Sequence, residues 1–175
     1  MATTKIWAVK DNLGRTVNYA ANPEKTVDPD LKKALQYAGD EAKTESRCYV
    51  TGVNCNAETA FEEMNAVQER FGKTGGNVAY HAYQSFKTGE ITPELCHEIG
   101  VELAKKMWGN EYQVLVATHL NTGTLHNHFV VCSTNMWTGK KFDCNEGAYW
   151  KFRALSDELC AEHNLTVMLQ ELMLK

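Results

Sequence analysis

The sequence predicts an α+β fold, a central antiparallel β-sheet with helices packed against one side, and three observations lead there. Apolar residues recur with period two in some segments and near 3.6 in others, and the two kinds alternate along the chain. Two β-rich runs, residues 112–119 and 126–134, are separated by Asn121, Thr122, Gly123 and Thr124, whose turn chemistry favours an antiparallel hairpin. Such a hairpin cannot belong to an all-parallel sheet. No repeat, low-complexity tract or linker interrupts the pattern, so residues 1–175 read as a single domain.

Residues 6–10 form a short strand, and residues 15–22 a brief helix that Pro23 stops, with Tyr19 in its last turn. Asp28 and Pro29 start a second helix through Leu31, Ala34, Leu35 and Ala38, which carries Tyr37, and residues 39–47 form a polar loop. Residues 47–55, with Tyr49, Val50, Thr51 and Val53, read as a strand. Asn56 caps the next helix, in which Ala60, Met64, Val67 and Phe71 recur at helical spacing before Gly72 ends it. The turn at 73–76 leads to a strand over 77–86. One of its faces holds Val78, Tyr80, Ala82, Gln84 and Phe86, the other His81, Tyr83 and Ser85. Thr92, Pro93 and Glu94 supply an N-cap, an N1 proline and an acidic first turn for a helix to Trp108, buried through Cys96, Ile99, Leu103 and Met107. A last helix over 146–163 buries Tyr149, Phe152, Leu155 and Leu159.

A composition of 43% hydrophobic and 23% charged residues is that of an ordinary globular chain. The apolar runs at 114–117 and 129–132 fall far short of the roughly 20 residues a bilayer requires, and no signal-like apolar segment opens the sequence, so no membrane insertion is expected. Six cysteines with no C-x-x-C pair read as reduced thiols in a cytoplasmic protein. The net charge of −4 argues against sequence-blind nucleic-acid binding, while leaving room for a local basic groove.

The strongest chemical signal is the string from His119 through Asn121 to His126, Asn127 and His128. Strand geometry puts His126 and His128 on one face. A four-residue loop pairs Leu120 with Leu125 and His119 with His126, about 5 Å apart between Cβ atoms, with His128 diagonal at about 7 Å. Three neutral imidazoles make a metal site with open coordination positions, whereas structural zinc takes four protein ligands. Imidazole suits zinc, manganese, nickel, copper or iron, and a bare set of three would first suggest zinc. Of the other histidines, His97 and His163 sit on helices where solvent-facing is the default, while His81 lies on a strand as a candidate second-layer partner of the triad. Asn127 makes the opposite strand face locally polar.

Three blocks together resemble the relaxases, the mobilisation nucleases of conjugative and mobilisable plasmids, in the subgroup with VirD2-like proteins. They are Val17-Asn18-Tyr19-Ala20-Ala21-Asn22-Pro23-Glu24-Lys25-Thr26; Tyr80-His81-Ala82-Tyr83-Gln84-Ser85-Phe86 with Gly89-Glu90-Ile91-Thr92-Pro93-Glu94; and the histidine hairpin running into Phe129-Val130-Val131. The resemblance implies the HUH-endonuclease fold, an antiparallel sheet flanked by helices with the paired histidines on a central strand. It implies that His119, His126 and His128 bind a divalent ion, magnesium or manganese first, with zinc or nickel as stand-ins. It assigns Tyr19 as nucleophile and Ser85 as a DNA contact near the nick. The family's aspartate two residues after the first histidine is here Asn121, so no carboxylate is available there as base or histidine orienter.

Tyrosine ordinarily titrates near 10 and is a poor nucleophile at neutral pH unless a base or positive charge favours the phenolate. The implied reaction is attack by Tyr19 on a scissile phosphate of single-stranded DNA at an origin of transfer, leaving a 5′-phosphotyrosyl bond and a free 3′-hydroxyl. Because one phosphodiester-type bond replaces another, the strand can be rejoined without a nucleotide cofactor. Lys25 is a candidate phosphate contact, and Lys140, Lys141, Lys151 and Arg153, near Trp137, Tyr149 and Trp150, form the densest basic cluster for a strand. The implied partners are a type IV secretion coupling protein and relaxosome accessory proteins. Three other readings compete. A rolling-circle replication initiator usually places its tyrosine after the histidines. A three-histidine zinc hydrolase would act on a small molecule, and a DNA-binding module would use the histidines only for structure.

Overall fold

The computed structural model describes residues 2–26, 49–120 and 123–166. The expected helix from Pro29, Tyr37, the loop at 39–47 and Asn121 lie outside them. The described elements are β1 (Thr3–Val9), α1 (Leu13–Ala20), α2 (Pro23–Thr26), β2 (Val50–Val53), a 3₁₀ turn (Ala57–Thr59), α3 (Ala60–Arg70), β3 (Ala79–Ser85), α4 (Pro93–Trp108), β4 (Val114–His119), β5 (His126–Cys132) and α5 (Glu146–Glu162). The strands form one antiparallel sheet in the order β1-β3-β5-β4-β2.

Local chemistry sets the ends of these elements. Thr92 accepts from the Leu95 amide at the start of α4, Asn145 from the Ala148 amide at the start of α5, and Asn56 from the Glu58 amide ahead of α3, each satisfying an orphan donor. Strand β2 ends at Val53, short of Cys55, because Asn54 adopts a left-handed backbone (φ 62°) and folds the chain back. The return is so close that a Cβ on Gly52 would lie 2.1 Å from the Cys55 carbonyl oxygen, so only glycine fits there.

The helices cover both faces of the sheet, not one. On the first face Tyr80, Ala82, Val114, Val116, Phe129 and Val131 pack against Ile99 and Leu103 of α4 and Phe152 and Leu159 of α5. On the second, Ala79, Leu115, Ala117, Val130 and Cys132 pack against Leu13, Val17 and Ala20 of α1 and Ala60 and Met64 of α3. The physical cause is in β4, whose six residues are all buried and whose first four, 114–117, are apolar without a break; such a run marks a strand covered on both sides. Val78, just before β3, joins the second cluster rather than the face of Tyr80. In α3 the buried polar Gln68 replaces the expected Val67 and Phe71, its amide donating to the Val78 carbonyl.

Register on the second face organises the site. Directly paired residues run across the sheet as Thr3, Ser85, His126 and His119 in one row, as Lys5, Tyr83, His128 and Ala117 in the next, and as Trp7, His81 and Val130 in the third.

Candidate metal centre and nucleophile

The hairpin register places His119 opposite His126, as the spacing predicts, and the β4–β5 ladder ends at that pair. His119 and His128 are buried and His126 half-buried, and their ligand atoms lie within 4.8 Å of one another. The His119 and His128 ring centroids are 4.0 Å apart, and those of His126 and His128 5.0 Å.

Each ring is held through one nitrogen. His119 Nε2 donates to the Ala20 carbonyl at 2.9 Å, and His126 Nδ1 to the Thr124 carbonyl at 3.1 Å. His128 Nδ1 lies 2.7 Å from His81 Nε2, and His128 Nε2 is buried with no hydrogen-bond partner among the described residues. A buried polar atom without a partner is costly unless something fills the role. The donor set, three imidazoles each oriented by a second-layer contact with one nitrogen left over, fits a divalent cation. For His128 to offer an Nε2 lone pair, its Nδ1 must carry the proton, so His81 Nε2 accepts and His81 is protonated at Nδ1. Burial pulls His81 down to about 4, as it does His119. It pulls His128 down to about 2, with the neighbouring His119 and His81 adding to the effect. His119 and His128 are therefore neutral near pH 7, the state a metal ligand needs, and so is His81 behind them.

Tyr19 is brought to this cluster by two clasps. The Ala20 carbonyl receives His119, and the Lys25 carbonyl accepts from the Leu120 amide at 2.6 Å, so the segment after α1 is fastened to the end of β4. Helix α1 buries Leu13, Val17 and Ala20, and Tyr19, off that stripe, remains 46% exposed. Its ring stands edge-on to His119 and His128 at 5.7 and 5.6 Å. Lys25 Nζ lies 3.7 Å from the Tyr19 ring centroid, a cation–π contact.

Beneath the histidines, on the first face, lies a polar network. Asn127 is fully buried, donating to Gln84 Oε1 and the Cys96 carbonyl and accepting from Thr118 Oγ1. Thr118 also meets His97 Nδ1, and His97 Nε2 meets Thr51. His97 is thus buried between α4 and the sheet, not turned to solvent, because Thr51 and Thr118 satisfy both ring nitrogens. The local polarity expected at Asn127 is therefore a closed network.

Of the remaining sequence candidates, half-buried Ser85 sits in the row of His126, and His81 in direct contact with the triad. Lys140, Lys141 and Arg153 are not brought to the histidine face. Lys141 Nζ donates to the Gly75 and Asn77 carbonyls ahead of β3, at the strand end opposite His126. Arg153 packs over Trp150 on α5, which covers the other face of the sheet. Sequence reasoning overlooked Trp7, whose ring centroid is 4.5 Å from that of His81. Only the β1–β3 register reveals which neighbour it meets.

An antiparallel sheet that gathers three histidines at a hairpin, beneath a tyrosine from the first helix, defines an α+β protein with a candidate metal centre next to an exposed phenol. The sequence matches the family described as "Relaxase: MobA/VirD2-like, nuclease domain" over residues 31–165, and the chain belongs to that family. It is 38% identical to Protein rlx of Staphylococcus aureus over 95% of its own length and 43% of the relative's. It is 30% identical to the group II intron-interrupted relaxase LtrB of Lactococcus lactis subsp. cremoris, over 77% of its own length and 25% of the relative's. The chain thus spans less than half the length of these relatives. A solved structure from work on the molecular basis of vancomycin resistance transfer in Staphylococcus aureus has the same fold, with a TM-score of 0.62 at 12% identity, covering 95% of this chain and 96% of the other. Tyr19 precedes the residues matched to the family, so its candidacy stands on the first sequence block and on its place above the triad.

Proposed function

We propose that this chain is the nicking domain of a relaxase: a DNA strand transferase that cleaves one strand at an origin of transfer, holds the 5′ end on Tyr19, and can rejoin it. The observation that carries this reading is the Tyr19 ring set edge-on against two of three converging imidazoles, with a lysine ammonium against its face. His119, His126 and His128 would hold a divalent ion, which when bound supplies positive charge to a non-bridging oxygen of the scissile phosphate.

The chain's own groups do the rest. The Tyr19 oxygen forms a bond to phosphorus as the bond to the 3′-oxygen breaks; the phenolic proton leaves to solvent, which reaches the half-exposed side chain, and the departing oxygen takes up a proton. Lys25 holds charge beside the forming phenolate, and His81 keeps His128 in the tautomer whose Nε2 is free. Ser85 borders the strand's path in the row of His126. On this reading the ion in the cell is magnesium or manganese, and the nicked strand passes to relaxosome accessory proteins and a type IV secretion coupling protein.

The test is incubation with pooled single-stranded oligonucleotides and manganese, followed by peptide mass spectrometry. A nucleotide-modified Tyr19 is expected, and Tyr19→Phe should bind oligonucleotide without forming the adduct. A small-molecule hydrolase would yield no adduct and keep its activity in Tyr19→Phe.

A further inference from the structure

Helices α1 and α3 cover the second face of the sheet over β2, β4 and the apolar half of β5. Over the Thr3–Trp7 part of β1 and the Tyr83–Ser85 end of β3 that face stays open among the described residues: Thr3, Lys5 and Trp7 are exposed, and Tyr83 and Ser85 half-buried. Trp7 is 42% exposed, an unusual cost for the largest apolar side chain at an edge strand. Two other exposed tryptophans, Trp137 and Trp150, do not compete for the same role. Trp137 has its indole nitrogen bonded to the Asn110 carbonyl, and Trp150 is on α5 across the sheet. Trp7 alone among them lies on the histidine face, one ring away from the triad, packed on His81, which in turn meets His128.

The electrostatics of this open face point to its occupant. The chain is acidic overall, yet β1, β3, β4 and β5 contain no aspartate or glutamate; the one lysine or arginine these strands carry is Lys5, and Lys25 stands beside Tyr19. Aromatic rings beside isolated lysines, on strands that carry no acidic residue, match a single nucleic-acid strand, whose bases stack while its phosphates meet ammonium groups. A double helix would bury its bases away from such a platform.

We infer that Trp7 is a base-stacking subsite: a nucleobase flanking the scissile phosphate lies on its indole, with Lys5 against the backbone phosphate alongside. This rests on the relaxase reading and deepens it, because a stacked base next to the triad sets the position of the phosphate relative to Tyr19. Stacking is tolerant of base identity, so the subsite orients the strand without reading its sequence.

The test compares a short fluorescein-labelled oligothymidylate with an abasic oligonucleotide of the same length and charge, at low ionic strength, on the full chain. Three proteins are used: wild type, Trp7→Ala, and Trp7→Met, which keeps an apolar cover over His81 without a π-face. Affinity for the base-bearing strand should fall about 5- to 150-fold in both variants, while affinity for the abasic strand stays at the wild-type value. Should Trp7→Ala be poorly folded, Trp7→Met decides the matter, with melting and manganese titration as its control. Wild-type affinity for oligothymidylate in Trp7→Met overturns the subsite. If that occurs while a Tyr19 adduct still forms, the relaxase reading survives alone; if the wild type binds neither strand and forms no adduct, both fall.

Discussion

Replacing His81 by phenylalanine tests how the triad is oriented. His81 and His128 are both buried, and their contact is a 2.7 Å bond between His81 Nε2 and His128 Nδ1. Phenylalanine retains a ring to pack on Trp7 and removes both ring nitrogens, among them the acceptor for His128. His128 then has two options. It can keep its Nδ1 proton with no acceptor, at the cost of about 1–3 kcal/mol for a stranded buried donor. Alternatively, it can move the proton to Nε2, which abolishes the lone pair a cation needs. Either route weakens the metal-competent state, and lost second-layer partners of ligating histidines typically reduce affinity by about 10- to 100-fold. Isothermal titration with manganese or zinc reads that loss, while melting in chelator reads any purely structural share. His81→Gln, whose Oε1 can accept from His128, should recover part of the affinity. Unchanged metal affinity in His81→Phe, with a normal melting temperature, would refute the claim that His81 sets the tautomer of His128.

Three further outcomes follow from the geometry. Burial holds His81, His97 and His119 at about 4, below the ordinary 6.5, so the unfolded chain binds more protons between those values. Stability of the metal-free protein should be complete above pH 6.5 and lost as the pH falls towards 4, by at most about 3 kcal/mol per histidine; a flat urea midpoint across that range would contradict it. Gly100→Ala should destabilise despite alanine's better helix propensity, because the new Cβ would lie 2.6 Å from the Asn127 amide nitrogen, which its bonds to Gln84 and Cys96 hold in place. An overpacking cost of about 1–3 kcal/mol should appear in chemical denaturation, and a raised midpoint would count against this packing. Lys25→Met removes the charge 3.7 Å from the Tyr19 ring centroid and should slow adduct formation roughly 2- to 30-fold in single-turnover assays, in line with cation–π energies. An unaltered rate would make that contact incidental.

Much of the site is legible in the sequence because its determinants are local. The loop between the β-rich runs dictates the hairpin, the hairpin dictates that His119 faces His126, and period two brings His128 to the same side. Capping by Thr92 and Asn56 is likewise a matter of a few neighbouring residues. What escapes is tertiary. His81, whose ring meets that of His128, is 47 residues away, and nothing short of the β3–β5 register reveals their contact. His97 reads as solvent-facing until α4 is laid over β4 and its ring meets Thr118. Trp7 reads as an ordinary strand residue until β1 pairs with β3. The two-sided helix cover did leave a trace, the unbroken apolar run at 114–117, which alternation alone would not produce.

The most direct measurement is a crystal structure of the protein with manganese and a short single strand, read by anomalous scattering. One anomalous peak is expected, bonded to a nitrogen from each of His119, His126 and His128, with a phosphate oxygen on its open side and the Tyr19 hydroxyl facing that phosphorus. A peak elsewhere, or a strand whose phosphates run along the Lys140 and Arg153 side of the fold with Tyr19 untouched, would contradict it.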